Sequence, residues 1–179
     1  MSLRSLLELD ARLSGQMRVA EQPGLLRNML AFLAHSGDSW LWCGGLIILW
    51  FFGDPFWKKL AVVLLGGIAV LAIILITLKF LIRRRRPEGE WGRIYRNTDP
   101  HSFPSGHAAR SFFITIAVTG FGPGWLAAIL WVWAPLVVLA RVALGVHYVS
   151  DIAVGALLGI LLGLIGLPVC ELLLAHAVS

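Results

Sequence analysis

The stretch LAVVLLGGIAVLAIILITLKFLI, residues 60–82, decides the fold. A helix rises about 1.5 Å per residue and needs about 20 apolar residues to cross the hydrocarbon of a bilayer. This run supplies them, interrupted only by Thr77 and Lys79. In a water-soluble domain so apolar a helix would have to be covered on every side, and the rest of the chain cannot cover it. Of 179 residues, 58% are hydrophobic and 14% charged, and the mean hydropathy is +0.81. Too little polar surface remains to face water. The chain is therefore read as integral to a membrane and, at this length, as a single membrane-embedded domain over residues 1–179, with interfacial helices in residues 1–38 and a transmembrane core in residues 39–179.

Working outward from residues 60–82, further apolar segments lie at about residues 40–52, 107–120, 125–146 and 151–175. The expected fold is all-α, a polytopic bundle of about five transmembrane helices. The segment from Trp40 is the shortest and reaches spanning length only if it is extended toward Phe56; Asp38 or Ser39 would be its N-cap. Pro135 predicts a kink in the fourth segment. Before them, Leu6, Leu7, Leu13 and Met17, then Leu26, Met29, Leu30 and Leu33, recur near helical spacing among charged residues, which predicts amphipathic helices lying in the interface. Gly155, Gly159 and Gly163 fall on one helix face and invite close approach by a neighbour.

Composition also excludes function classes. The net charge of +5 is concentrated near residues 83–96, at a membrane edge, rather than interleaved with exposed aromatics. This fits lipid phosphates and not nucleic acid. No cleaved leader is expected, because residues 1–38 mix both charge signs without a compact apolar run. Cys43 and Cys170 sit in apolar segments without metal-ligand or redox spacing and are read as small buried hydrophobes. No carboxylate cluster with metal-ligand spacing is present, so neither a metal nor another cofactor is expected.

If the apolar segments alternate direction, three polar clusters emerge at one end of the bundle. The first is KFLIRRRRP, residues 79–87. Its arginines alone would read as a basic stop at a helix end, but Lys79 lies a turn inside the apolar run, where a charge is costly unless it serves something. The second is HSFPSGHAAR, residues 101–110, where Ser105 and Gly106 open a helix whose free N–H groups make an anion site, with His107 beside them. The third is RVALGVHYVSD, residues 141–151. His147 and Asp151 are four apart, so a carboxylate can hold one imidazole nitrogen and leave the other directed as nucleophile or base.

The order and spacing of Lys79, Arg86-Pro87, Pro104-Ser105-Gly106-His107 and Arg141, His147, Asp151 resemble the tripartite signature of the type 2 phosphatidic acid phosphatase superfamily. One departure is visible: the serine usual before the arginine of the third motif is Ala140. The resemblance implies a lipid phosphatase without a metal. It makes His147 the nucleophile that becomes phosphohistidine, Asp151 its orienting partner, and His107 the general acid and then base. Lys79, Arg86, Ser105, the N–H of Gly106, and Arg141 would hold the phosphate oxygens.

Arg110, three residues after His107, is a possible ligand for a second phosphate if it faces the site, or a structural partner for Glu88, Glu90 or Asp99. With the arginines at 83–85 it tilts the expected substrate toward a polyprenyl diphosphate such as undecaprenyl diphosphate, ahead of phosphatidylglycerophosphate or phosphatidate. A scramblase, a transporter or a non-catalytic lipid-binding scaffold are the alternatives from other classes. The expected partners are a lipid phosphate and the bilayer, and nothing in the sequence speaks to oligomeric state. The arginines of residues 4–27 and 83–96, set against Lys58 and Lys59, would put the site in the cytoplasm by the positive-inside rule. The resemblance to bacterial relatives favours the outer face of a plasma membrane instead, which is the expectation adopted. Asn97 is a natural labelling position for that question.

Overall fold

A computed structural model of the chain describes residues 3–20, 22–96 and 99–176, with Leu3, Arg96 and residues 173–176 described in backbone only. Asn97, the labelling position suggested above, lies outside the described residues. Those residues form eight helices: α1 (Leu3–Gln16), α2 (Leu25–His35), α3 (Ser39–Phe52), α4 (Pro55–Ile82), α5 (Glu90–Arg96), α6 (Gly106–Phe121), α7 (Gly124–Ala143) and α8 (Val149–His176). The all-helical reading holds. The number of spans does not.

Three helices among the described residues are long and apolar enough to cross a membrane: α4, α7 and the Val149–Leu172 part of α8. The expected five must be corrected at α3 and α6. At 14 and 16 residues, they reach about 21 and 24 Å, short of the roughly 30 Å hydrocarbon thickness. Extension of α3 toward Phe56 is blocked, because the chain breaks at Gly53 and Asp54 starts α4 instead, its Oδ1 accepting from the N–H groups of Phe56 and Trp57 with Pro55 in the first turn. In α6 the apolar residues face protein: Ala108, Ala109, Phe113, Ile114, Ala117 and Val118 are buried alongside Arg110, Ser111 and Thr115. Pro135 lies inside a continuous α7. Cys43 and Cys170 are half-buried and unpaired.

Helix α6 is the spine on which α4, α7 and α8 pack. The α8 glycine face makes the closest approach. A Cβ at Gly155 would lie 2.5 Å from the Ser105 carbonyl oxygen, one at Gly159 would overlap the Ala109 carbonyl, and one at Gly163 would lie 2.6 Å from the Ile116 side chain. On α4, a Cβ at Gly67 would overlap the Phe113 ring. These small residues bring the N-termini of α6 and α8 and the C-terminus of α4 to one end of the bundle.

Helices α1 and α2 close that end, in keeping with their amphipathic pattern. Asp10 of α1 accepts from the Ser150 N–H at 3.0 Å, and Ser14 from the Val149 N–H at 2.9 Å, so α1 caps the first turn of α8 from elsewhere in the chain. On α2, Ala34 is buried with Ala140, Leu144 and Val146, and Trp91 and Tyr95 of α5 pack against them.

Candidate active site

A cavity of about 940 Å³ opens at this end, lined among others by Lys79, Arg86, Tyr95, Asp99, Gly106, His107, Arg110, Arg141 and His147. Every motif residue named above is placed in or beside it. Lys79 comes from the last turn of α4, and Arg86 follows the helix end, where Arg83 adopts the left-handed conformation (φ 52°) that turns the chain back toward the site. Arg86 and Arg141 are 3% and 1% exposed. Arg141 donates through Nη1 to the Tyr95 hydroxyl at 3.0 Å and lies over its ring, and the Arg86 guanidinium lies over the same ring. The Nε and Nη2 groups of Arg141 are buried without a hydrogen-bond partner among the described residues. Ala140 beside it offers no hydroxyl.

His147 sits in the turn between α7 and α8. Its Nδ1 faces Asp151 Oδ2 at 3.4 Å, and its Nε2 faces Arg86 Nη1 at 3.1 Å. An arginine can only donate, so Nε2 carries the lone pair and Nδ1 the hydrogen. Burial, with Arg86, Arg141 and Lys79 close by, holds the His147 pKa well below the ordinary imidazole value, so the ring is neutral. Asp151 is fixed in turn by the Tyr148 N–H at 2.9 Å and by Arg84 Nη1 at 2.8 Å. Arg84 also donates to Ser150 and to Asp10. Its charge, expected to be available to substrate, is committed to holding α1, α8 and Asp151 together.

Ser105 opens α6. Its Oγ accepts from the Ala108 N–H, and its own N–H donates to the Asp151 carbonyl at 3.0 Å, which ties the second motif to the third. Gly106 lines the cavity, and an added Cβ there would meet only Leu75, at 3.8 Å, so its smallness leaves space on the cavity side. His107 Nε2 bonds Asp38 Oδ1 at 2.6 Å, and the other oxygen of Asp38 takes His35 Nδ1 at 3.0 Å. Burial works against the Asp38 charge, but the bonds from His107 and His35 prevail and hold its carboxyl well below the usual carboxylate range.

Arg110 is not disposed as a free cation. Its guanidinium binds the Gly37 carbonyl through Nε at 2.9 Å and again through Nη2, and Nη1 donates to Ser39 Oγ at 2.5 Å. It pairs with none of Glu88, Glu90 or Asp99 and instead anchors the α2–α3 turn, which carries Asp38.

With this geometry in place, comparison with known proteins is direct. Residues 57–171 match the family model described as the PAP2 superfamily. The chain belongs to it. This PAP2 protein is 32% identical over 162 residues to decaprenylphosphoryl-5-phosphoribose phosphatase of Mycobacterium tuberculosis, covering 88% of each chain. It is similar to the crystal structure of LpxE from Aquifex aeolicus, with a TM-score of 0.73 and 29% identity over 89% of this chain and 95% of that one. It is also similar to the crystal structure of a transmembrane PAP2-type phosphatidylglycerolphosphate phosphatase from Bacillus subtilis, with a TM-score of 0.75 and 25% identity over 93% and 87%. The chain is thus a PAP2-type membrane lipid phosphatase.

Sequence reasoning missed several residues of this PAP2 site. Of the two cap candidates for α3, Asp38 and Ser39, Asp38 stands at the cap position, but its side chain makes no cap bond and holds His107 instead. Tyr95, Asp99 and Asp10 carry no motif. A carboxylate or phenol in a polar loop looks like solvated surface until its partner is placed beside it, and only the excess of cations over anions near residues 83–96 hinted that some were needed.

Proposed function

We propose that this phosphatase removes a terminal phosphate from a polyprenyl-anchored lipid through a phosphohistidine on His147. The observation that carries the reading is Arg141, almost fully buried, with two donors unpartnered among the described residues, beside a cavity that the neutral His147, Lys79 and Arg86 also line. A buried arginine with idle N–H groups calls for an oxyanion. His147 Nε2 attacks phosphorus while the bond to the leaving oxygen breaks. Asp151 takes the strain of the developing imidazolium through Nδ1–H. His107 delivers a proton to the leaving oxygen, then removes one from the water that attacks phosphorus and breaks the N–P bond.

Asp38 orients His107 by occupying Nε2, so Nδ1, which has no hydrogen bond to the described residues, exchanges the proton. Lys79, Arg86, Arg141, Ser105 and the N–H of Gly106 hold the non-bridging oxygens, where charge is spread in the transition state. Arg86 first has to leave Nε2, which it caps in the resting site.

Neutralisation by these cations and the α6 N-terminus requires no metal. EDTA is therefore expected to leave the rate within about twofold, and vanadate to inhibit as a five-coordinate mimic. Loss of activity in EDTA, restored by Mg²⁺, would overturn this. The polyprenyl preference follows the mycobacterial relative, whose name specifies a decaprenyl-linked phosphosugar. A diphosphate is the second reading. It no longer draws on Arg110, but a separate cavity of about 880 Å³ lined by Arg83, Arg85, Arg93 and Arg86 offers charge next to the first. Phosphate release from polyprenyl phosphosugar, polyprenyl diphosphate, phosphatidylglycerophosphate and phosphatidate, compared by kcat/KM on the purified protein, orders these readings. We place the site on the outer face. Glu88, exposed at the site end, replaced by cysteine in a chain lacking Cys43 and Cys170, should react with an impermeant reagent in intact cells. Protection would put the site in the cytoplasm.

A further inference from the structure

In the resting site the phosphate cradle already holds an anion, and it belongs to the chain. Asp99 lies outside the helices, between α5 and α6. Its Oδ2 bonds both Lys79 Nζ and Arg86 Nη2, the latter at 2.8 Å, and its main-chain carbonyl accepts from Arg86 Nε at 2.7 Å. The remaining Arg86 nitrogen, Nη1, is spent on the Val146 carbonyl and on His147 Nε2. Every nitrogen of Arg86 is therefore engaged, with only one Nη2 hydrogen to spare, and its bond to Nε2 covers the nucleophile. One carboxylate oxygen stands between the two cations that would grip a phosphate.

The arrangement has a clear physical cause. Lys79, Arg86 and Arg141 are largely withdrawn from water, and three cations gathered without an anion would repel one another strongly in a medium of low dielectric constant. Asp99 supplies the missing charge. Burial disfavours its ionised form, but Lys79 and Arg86 outweigh that and hold its pKa below the ordinary value. Its side chain is nevertheless 41% exposed, against 12% for Lys79 and 1% for Arg86. Of the three partners, the carboxylate is the one with a path back to water.

We propose that Asp99 is a displaceable counter-ion that sets the specificity of the cradle: a ligand enters only by expelling its carboxylate, which admits a terminal phosphate dianion and turns away phosphodiester head groups. The proposal rests on the phosphatase reading above and deepens it. A phosphate monoester carries close to two charges and three terminal oxygens, enough to replace one carboxylate on Lys79 and Arg86 and still reach the idle donors of Arg141. A phosphodiester carries one charge on two free oxygens. Exchanging it for Asp99 replaces one monoanion with another and gains little. The distinction matters in a membrane, where phosphodiester lipids vastly outnumber any substrate, and it is specificity obtained through an internal competitor.

The test compares wild type with Asp99→Asn, which keeps the shape and removes the charge. In detergent micelles at pH 8, with a prenyl phosphate monoester as substrate, the variant should show a KM lowered roughly tenfold and a kcat within a few-fold, the effect of one charge-assisted contact no longer contested. Added phosphatidylglycerol should leave wild type unaffected and become a competitive inhibitor of the variant. An unchanged or raised KM, or equal inhibition of the two proteins by phosphatidylglycerol, would overturn the proposal. Should Asp99→Asn not fold, Asp99→Ser is read in the same way.

Orthovanadate binding, followed by fluorescence of Trp91 at the cavity wall, separates this idea from the phosphatase reading because it needs no turnover. A wild type that binds vanadate more weakly than the variant but releases no phosphate from any lipid would sink the catalytic assignment and leave Asp99 as the counter-ion. Equal vanadate affinity in an active enzyme would do the reverse.

Discussion

His147 and His107 line one cavity, each held by an aspartate, and the two pairs are built in opposite ways. His147 and Asp151 are four residues apart, meet across a single turn at 3.4 Å, and are 1% and 0% exposed in side chain. His107 and Asp38 are 69 residues apart, meet at 2.6 Å, and are each 16% exposed. In the first pair the aspartate is shared with Arg84, and burial, then the surrounding cations, keep the imidazole neutral. In the second the aspartate is shared with another histidine, and no arginine binds it among the described residues. A nucleophile must be uncharged before it attacks, whereas an acid must carry its proton. Burial and then Arg141 hold the His107 pKa well below the ordinary imidazole value too, with Asp38 pulling the other way, so the pairs differ in geometry and exposure rather than in resting charge.

The comparison can be broken at several points. The largest effect is expected for His147→Ala, which should lower kcat by about 10⁴ or more, since without Nε2 no covalent intermediate forms. Full activity in that variant would end the phosphohistidine proposal. Asp151→Asn should keep weak activity, with kcat down by roughly 10³, because the ring remains but loses its orientation and charge support. Asp38→Asn should cost about tenfold to thirtyfold in kcat with KM little changed, within the range of a general acid left in place but poorly aimed. A larger loss at Asp38 than at Asp151 would reverse the assignment of acid and nucleophile.

A pH profile sharpens the same contrast. Because the His147 pKa is lowered, the ring gains its blocking proton only well below the ordinary imidazole range. The acid limb of kcat/KM, corrected for ionisation of the substrate, should therefore lie below that range, as this ratio reports the free enzyme. A limb at or above it would mean that His147 starts charged. The smallest effect is expected at Asp10→Ala, which removes the cap that α1 places on α8. Thermal unfolding in detergent should report a loss of about 1–2 kcal/mol, as for a helix cap elsewhere.

How far the sequence could be read differs between these regions for one reason. The His147–Asp151 pair lies four residues apart, from the turn before α8 into its first turn, so nearness along the chain is enough to bring the two together. The Ser105-Gly106-His107 start of α6 is equally local. Asp38 could be given a backbone position, at the start of α3, but not a partner. Span counting failed at α3 and α6 for a related reason. Apolar composition says that a side chain avoids water, and for α6 the shelter is α4, α7 and α8 rather than lipid.

By itself, then, the sequence determined that this chain lives in a membrane and that it is helical, because hydrophobicity and its spacing act along the chain, while the resemblance of Lys79, Arg86, Ser105, Gly106, His107, Arg141, His147 and Asp151 to one family's signature made them candidates for a common site. Only the tertiary structure decided which carboxylate answers which cation: Asp38 on His107, Asp99 on Lys79 and Arg86, Asp10 on Arg84, and Arg110 on the backbone of Gly37. Those pairings depend on how closely the α8 glycine face seats against α6 and on where α1 and α2 close over the end of the bundle. Charge attracts through space, and the partners lie 13 to 74 residues apart along the chain.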